Sequence, residues 1–364
     1  MNKTFKYRLY PNKKQEILLR KTFGCVRYFW NKQVEIFNSY DKELNPRPVY
    51  QNSTIIRNSI VWMKEVSAVA LQQKEIDFKE FKKQHFNSNR KSVVRNPKYK
   101  NKNSKQSFRV NNQTSRVESD KILITKIGKI KYVKDRDLPI NYKLINITVS
   151  MDKCGDFYAS ILVETEIEKL PKTNKSVGVD VGIKSFATLS NGEVIPSNRF
   201  FRDSQAELRK AQRRFAKKVK GSSRWKKSKK KVAKIYRKAA RQREYFLQTL
   251  TTRLVKEFDV ISIEDLNVAG MKKNRRLSKS ISDASFSMFF NMLKYKCEWY
   301  GKELVKVNRW FPSSKQCYCC GNVKKVLTLN ERIYKCQACG FEMDRDLNAA
   351  LNIEALGINS AIRS

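Results

Sequence analysis

Three isolated acidic residues offer the chemistry of a metal-dependent hydrolytic site. Asp180 interrupts the apolar run at residues 177–182, Glu264 follows the apolar run at residues 260–263, and Asp346 stands at the start of a stretch with helical apolar spacing. Clustered carboxylates repel one another unless cations neutralise them, and their hard oxygens suit Mg²⁺. Two such ions about 3.5–4 Å apart can activate water and stabilise the leaving oxygen of a phosphodiester.

The glycines around Asp180 indicate how its side chain is accommodated. Gly178 and Gly182 flank Asp180 on one face of the predicted strand, so we expect open space around the carboxylate. An unpaired aspartate buried in a central strand would cost several kcal/mol. A hydrogen-bonded strand-end aspartate is the structural alternative for Asp180, and an exposed strand-end acid is the alternative for Glu264. Ligands usually gather at that end of an α/β sheet, which favours a site.

Four cysteines have the spacing of a zinc-binding unit. Cys317 and Cys320 form one Cys-x2-Cys pair, and Cys336 and Cys339 form a second pair after fifteen intervening residues. Four thiolates complete a tetrahedral zinc shell, and a closed shell leaves no position for water, so we expect one structural zinc ion. A glycine follows each pair, where it lets the backbone turn its amides toward the sulfurs. Cys319 lies between two ligands, and a register that uses it stays open.

The charge balance identifies the class of partner. The 364 residues contain 77 Lys and Arg against 34 Asp and Glu, and a net charge of +43 opposes compaction unless a polyanion neutralises it. We therefore expect nucleic acid as the partner. With His85 as its single histidine, the chain has little scope for histidine-based catalysis. No run of about 18 apolar residues and no signal-peptide core occurs, so we expect a cytoplasmic, nucleoid-associated prokaryotic protein without a membrane partner.

The first half of the chain alternates between strand and helix patterns. A short strand at residues 3–10 precedes a helix from about Asn12 to Lys32, and helical spacing continues over residues 54–86. A basic loop is predicted between about Phe86 and Lys105. Alternation from Phe108 to Glu166 predicts a small antiparallel barrel or sheet. Because the β pattern returns after the helices, we expect the helices to be inserted into a β unit that begins at residues 3–10.

The second half predicts an α/β sheet with a parallel element. The strand at residues 177–182 is followed by a hairpin that turns at Asn191-Gly192. The strand at residues 260–263, a helix from Ser285 to Gly301 and a strand at residues 304–307 then alternate.

A strongly basic segment lies between these strands. Residues 205–245 hold 18 Lys and Arg with two Glu, and Leu208, Ala211, Phe215 and Val219 are spaced along one stripe before a turn at residues 221–223. This pattern predicts a basic helical hairpin that lies along nucleic acid, or a solvated charged helix. Trp225 would stack on a base or pack at the turn. The predicted contacts are Arg213, Arg214, Lys217, Lys218, Trp225, Lys226, Lys227 and Lys230.

Four longer motifs and an N-terminal one carry a family resemblance. They are Gly178-Val179-Asp180-Val181-Gly182-Ile183-Lys184, Ile263-Glu264-Asp265-Leu266-Asn267-Val268, Ser313-Ser314-Lys315-x-Cys317, Asp344-Arg345-Asp346-Leu347-Asn348-Ala349-Ala350-Leu351-Asn352-Ile353 and Tyr10-Pro11-Asn12-Lys13-x-Gln15. With them the chain resembles, over nearly its whole length, the TnpB family of transposon-encoded RNA-guided nucleases, the OrfB proteins of the IS200/IS605 group, which are similar to compact Cas12 effectors.

The resemblance implies an architecture, partners and cofactors. It implies a guide RNA from the transposon end, double-stranded target DNA cut beside a short flanking motif, two Mg²⁺ ions and one Zn²⁺ ion, in a ribonucleoprotein with one protein chain. The implied fold is a β-barrel wedge domain with an inserted helical domain, then an RNase H-like (RuvC) domain with an inserted zinc ribbon. The implied bounds are residues 1–10 and 91–171 for the wedge domain, 11–90 for the helical recognition domain, 172–310 and 341–364 for the RuvC-like domain, and 311–340 for the zinc ribbon.

The resemblance also assigns roles to residues. Its catalytic and magnesium-binding set is Asp180, Glu264 and Asp346. We prefer Asp346 to Asp344 because the family keeps the acid before x-Asn-Ala-Ala and because Asp346 is expected nearer to the helix start, although either could be an N-cap. The flanking DNA motif would be read by the N-terminal region. Candidates for base-edge contacts are Tyr50, Gln51, Asn52, Ser53 and Thr54, for which a loop-to-helix start is the plain alternative.

Two other functions stay open on the sequence. A DNA transposase that joins ends would share the acidic RNase H-like core. A regulator without catalytic activity could combine a basic scaffold with a zinc ribbon. The complete set of three acids argues against the second of these.

Overall fold

The computed structural model describes residues 1–39, 49–87, 95–328 and 331–363. The chain forms two compact units, Met1–Glu166 and Ile167–Ser364. Residues 88–94 of the predicted basic loop lie outside the described residues. Within the described ranges, no helix is both long and apolar enough to cross a membrane.

Among the described residues of the first unit, seven strands form an antiparallel sheet. The strand order is β2-β6-β7-β1-β5-β4-β3. The first strand pairs with β5 and β7, which follow it by more than 100 residues, so the helices between them are inserted into one β unit as the sequence predicts. The strands are β1 (Asn2–Tyr10), β2 (Gln106–Asn111), β3 (Ser115–Val117), β4 (Lys121–Ile124), β5 (Gly128–Val133), β6 (Tyr142–Met151) and β7 (Phe157–Thr165).

The helices of the first unit begin with α1 (Lys13–Asn38). Asn12 and Gln15 form a reciprocal capping box at its start, which satisfies two free backbone amides. The helical spacing predicted over residues 54–86 is interrupted twice, because Ile60 and Val66 adopt extended backbone conformations. The chain forms α2 (Ser53–Ser59), a 3₁₀ turn (Val61–Glu65) and α3 (Ala68–His85) instead.

The second unit contains a mixed sheet with strand order β10-β9-β8-β11-β12. Strand β11 runs parallel to both β8 and β12, which confirms the predicted parallel element. The hairpin of β9 and β10 turns at Gly192, whose φ of +89° favours glycine. The strands are β8 (Ser176–Val181), β9 (Ser185–Leu189), β10 (Val194–Pro196), β11 (Val260–Glu264) and β12 (Glu303–Val307), with a separate ribbon of β13 (Ile333–Lys335) and β14 (Glu342–Asp344).

The helices of the second unit include the predicted basic hairpin. Leu208, Ala211 and Ile235 form a small core between α5 (Gln205–Ala216) and α6 (Ser223–Glu257). Val219 lies beyond the end of α5 and is 79% exposed, so its place on the apolar stripe was wrongly predicted. The helices are α4 (Phe200–Asp203), α5 (Gln205–Ala216), α6 (Ser223–Glu257), α7 (Val268–Met271), α8 (Ser278–Ala284), α9 (Phe286–Tyr300) and α10 (Arg345–Arg363).

Candidate functional site

Asp180 and Glu264 lie at the carboxyl ends of neighbouring parallel strands. Val179 of β8 is in register with Ile263 of β11, and each acid is the next residue along its strand. The two acids therefore occupy equivalent positions at the same edge of the sheet. This edge is where ligands bind in α/β sheets.

Helix α10 crosses this face of β8 with its backbone in contact with the strand. The side chains of Ser176 and Glu354 are hydrogen-bonded. A Cβ added at Gly178 would lie 2.0 Å from the carbonyl oxygen of Ala350. The predicted open space beside Gly178 is therefore wrong, because α10 fills it.

The same progression brings Asp346 to Asp180. Two residues along a strand span about 6.6 Å, and four residues along a helix span about 6 Å. From the contact of Ser176 with Glu354 to the contact of Gly178 with Ala350, the position moves forward two residues along β8 and back four residues along α10. The next step reaches Asp180 on the strand and Asp346 on the helix.

The electrostatics of Asp180 reflect this crowding. Burial, followed by the carboxylates of Glu264 and Asp346, raises the pKa of Asp180 well above its ordinary value. The three carboxylates nevertheless do not all approach within 4.8 Å of one another. In the described ranges, the four cysteines are the only group of three or more potential metal ligands whose ligand atoms all lie within 4.8 Å of one another.

The start of α10 separates the roles of its two aspartates. The Oδ1 atom of Asp344 accepts hydrogen bonds from the amides of Asp346 (2.9 Å) and Leu347 (3.1 Å), so Asp344 caps the helix. The helix begins at Arg345, so Asp346 is no nearer to its start than Asp344, and the expectation that Asp346 lies nearer is wrong. The guanidinium of Arg345 lies 3.1 Å from the Asp346 carboxylate. Neither sequence spacing nor composition singled out Arg345.

A buried hydrogen-bond network joins Glu264 to α10. The Ser313 hydroxyl, in a residue only 5% exposed, donates to Oε1 of Glu264. The Asn352 amide donates to the carbonyl oxygens of Ser313 (2.9 Å) and Gln316 (2.7 Å), and the Asn348 amide donates to Gln316 at 2.7 Å. The segment before the first cysteine pair is thus fixed to both the acid and the helix. Two asparagines four residues apart on one helix face were the sequence signal for this network.

The four predicted cysteines converge in the second unit. The sulfurs of Cys317 and Cys339 are 3.7 Å apart, and those of Cys320 and Cys336 are 3.6 Å apart. Tetrahedral zinc with bonds of about 2.3 Å separates its sulfurs by about 3.8 Å, so the geometry fits that ion. Cys319 is exposed and is not part of the group.

Backbone amides face the cysteine sulfurs as the glycines predict. Gly321 and Gly340 have φ values of +76° and +74°. The amide of Cys339 is the main cause that lowers the pKa of the Cys336 thiol to about 6. The pKa is raised for the other three thiols, which neighbour one another, so the first thiolate available to a metal near neutral pH is that of Cys336.

The predicted basic contacts of the helical hairpin are all exposed, except for the tryptophan. Several of them line an open groove of about 520 Å³ along α5, with Arg213, Arg214 and Lys217 among its lining residues. Trp225 packs against Phe215, with ring centroids 5.2 Å apart, so the structure shows the packed alternative for Trp225. The exposed residues are Arg213, Arg214, Lys217, Lys218, Lys226, Lys227 and Lys230.

The predicted base-edge contacts in the first unit form a loop-to-helix start. The Asn52 side chain caps α2, and the amide of buried Ser53 donates to Glu75 at 2.8 Å. The Tyr50 ring lies 5.6 Å from Phe78. Gln51 and Thr54 keep exposed side chains.

The fold of the whole chain is similar to that of Cas12f1. In a cryo-EM structure described as a Cas12f1-sgRNA-target DNA complex, the Cas12f1-like chain matches with a TM-score of 0.55 over 97% of this chain and 98% of that chain. The sequences are 15% identical, so this likeness concerns the fold. The protein therefore has a Cas12f1-like fold.

Sequence comparison identifies the family. Residues 160–275 match the OrfB family of IS605, described as "Probable transposase", residues 286–353 match the Cas12f1-like TNB domain, and residues 1–41 match an OrfB helix-turn-helix domain. In the structure, the described part of this last segment forms β1 and α1.

Full-length relatives support the same assignment. The chain is 37% identical to a Streptomyces pristinaespiralis protein named "Putative RNA-guided DNA endonuclease", over 98% of this chain and 90% of the relative. It is 29% identical to the Escherichia coli K12 protein of the same name, InsQ, over 97% and 92% of the two chains. The chain belongs to the TnpB (OrfB of IS605) family.

Proposed function

We propose that this family member is an RNA-guided DNA endonuclease that hydrolyses phosphodiesters at Asp180, Glu264 and Asp346. The observation that carries the proposal is their convergence at one sheet edge, fixed by the register of β8 with β11 and by the contact of α10 with β8. The names of the full-length relatives supply the substrate and the guide.

The three acids suit divalent cations. Burial is the largest cause of the raised pKa of Asp180, and the carboxylates of Glu264 and Asp346 add to it, so bound cations would relieve their repulsion. When bound, two Mg²⁺ ions would activate water and stabilise the leaving oxygen. The ligand oxygens of one octahedral Mg²⁺ ion lie about 2.9 Å apart when cis and at most about 4.2 Å apart when trans, so a wider set of acids favours a pair of ions.

The surrounding residues would hold these acids in position. Ser313 occupies one oxygen of Glu264 by hydrogen bonding, which leaves the other oxygen to ligate a cation. Arg345 neutralises part of the charge on Asp346 and restrains its carboxylate. We assign a structural zinc ion to the four cysteines, where it would fix the segment that carries Ser313.

The remaining surfaces fit a ribonucleoprotein. The net charge of +43 would be shared between a guide RNA and a DNA heteroduplex held through its backbone. Within one protein chain, we assign residues 1–10 and 91–171 to the wedge domain, 11–90 to the recognition domain, 172–310 and 341–364 to the RuvC-like domain, and 311–340 to the zinc ribbon.

Purification with RNA tests this proposal. We expect the protein to retain a discrete RNA, and we expect cleavage of double-stranded DNA to follow a replaced guide segment in Mg²⁺. The description of the OrfB family as a transposase supplies the competing function. DNA cutting or joining that ignores the RNA would contradict the guided mechanism.

A further inference from the structure

An open cavity of about 340 Å³ adjoins Glu264 and has no role in the proposed chemistry. It lies where β11 ends, between the following loop, the first turns of α9 and the end of β12. Its size falls in the range of small-ligand pockets. The lining residues that matter here are Glu264, Asn267, Phe290, Asn291, Lys306 and Arg309.

Among the residues that the structure describes, the cavity has one basic side chain without an ion-pair partner. Arg309 forms an ion pair with Asp265, so those two charges offset each other. Lys306 is exposed on β12, in register with Ile263, and forms no ion pair with any residue in the described ranges. Its ammonium is therefore available to an anionic group such as a phosphate.

The other lining groups match the rest of a nucleotide. Phe290 is half-buried on α9 and offers an aromatic surface, on which a base can stack. Asn291, one residue further, is exposed, and no hydrogen bond joins its amide to the described part of the chain. An amide can donate to and accept from the edge of a base.

We propose that this cavity binds one unpaired nucleotide of the cleaved DNA strand, next to the scissile phosphate. The proposal rests on the proposed function, because the cavity shares Glu264 with the acidic site. Lys306 would contact the phosphate, Phe290 the base face and Asn291 the base edge. A nucleotide held there positions the neighbouring phosphodiester at the acids.

Abasic substitutions test the proposal. The complex, purified with its RNA, is given target DNAs that each carry one abasic nucleotide at successive positions around the cleavage point. We expect cleavage to slow about tenfold when the abasic nucleotide is next to the scissile bond, because base stacking on an aromatic side chain is lost. The variants Phe290→Leu and Asn291→Ala should cut intact DNA more slowly and lose most of this sensitivity.

Matched variants separate the cavity from general charge effects. Lys306→Ala should slow cutting of intact DNA, whereas Lys294→Ala, an exposed lysine of α9 outside the cavity, should not. Thermal denaturation checks that each variant is folded. Wild-type cutting that is equally fast for every abasic position, or variants with wild-type sensitivity, would overturn the cavity proposal alone. A wild-type complex that cuts none of the guided targets would overturn the proposed function itself.

Discussion

Replacing Gly178 by alanine should separate the acids without removing any of them. The new Cβ would lie 2.0 Å from the carbonyl oxygen of Ala350 and 2.6 Å from the amide nitrogen of Glu354, and ordinary contact begins at 3.4 Å. The shortfall from 3.4 Å to 2.0 Å is about 1.4 Å. Both partners are backbone atoms, so α10 must move as a unit and carry Asp346 away from Asp180.

The expected effect of this shift is large for cleavage and moderate for stability. A displacement of about 1 Å in catalytic geometry can cost about 10²-fold in rate, and overpacking costs about 1–3 kcal/mol of unfolding free energy. Single-turnover cleavage of a guided DNA target gives the rate, and thermal denaturation gives the stability. We expect Gly178→Ala to lower the rate by about 100-fold at a temperature where the variant is folded.

Gly24→Ala is the matched control for this substitution. A Cβ at Gly24 meets nothing within 4 Å, and alanine is favoured over glycine inside a helix by up to about 1 kcal/mol. The control should cut at the wild-type rate and melt at the same or a higher temperature. If Gly178→Ala also cut at the wild-type rate and kept its melting temperature, the contact between α10 and β8 would be refuted.

Three further substitutions test individual groups. Ser313→Ala should slow cleavage by about 10-fold or more and raise the Mg²⁺ concentration for half-maximal rate, since a hydrogen bond to a charged group contributes about 1.5–3 kcal/mol. Ser313→Thr should retain most activity, and Ser314→Ala should match wild type. An unchanged rate for Ser313→Ala would contradict the role of Ser313 in positioning Glu264. Asp180→Asn should stabilise the zinc-bound protein in the absence of Mg²⁺ at pH 7. Burial and the neighbouring carboxylates raise the pKa of Asp180, so its ionisation opposes folding above its unfolded pKa. Urea denaturation that shows no gain in stability would contradict the raised pKa. Burial lowers the pKa of Lys296 from its ordinary value of 10.5 to about 8, so between these two pH values the unfolded chain binds more protons than the folded one. The stability of the wild type should therefore rise over that interval relative to Lys296→Met. Urea midpoints that change in parallel for the two proteins would exclude this effect of Lys296.

Features that depend on local spacing could be predicted from the sequence. The cysteine register follows from two tight pairs, and the parallel pairing of β8 with β11 follows from strands separated by helices. Asp180 was predicted within an apolar strand and Glu264 at the end of one, and both lie at the carboxyl ends of their strands. The type of chemistry at the proposed site could thus be predicted from the sequence without the fold.

Features that depend on packing between distant segments could not be predicted. Ser313 and Glu264 are 49 residues apart in sequence, and no local pattern indicates that they are hydrogen-bonded. The glycine at position 178 was interpreted as leaving open space, whereas the backbone of α10 fills that space. The break at Ile60 was also missed, because the apolar spacing there fits a continuous helix although the backbone is extended.

Cleavage by Asp180→Ala tests the central claim most directly. The acid is removed without touching the basic surfaces or the cysteines, so the variant should bind RNA and guided DNA as the wild type does. We expect no Mg²⁺-dependent cleavage of the bound target. Undiminished cleavage by the RNA-bound variant would contradict the assignment of the catalytic site to Asp180, Glu264 and Asp346.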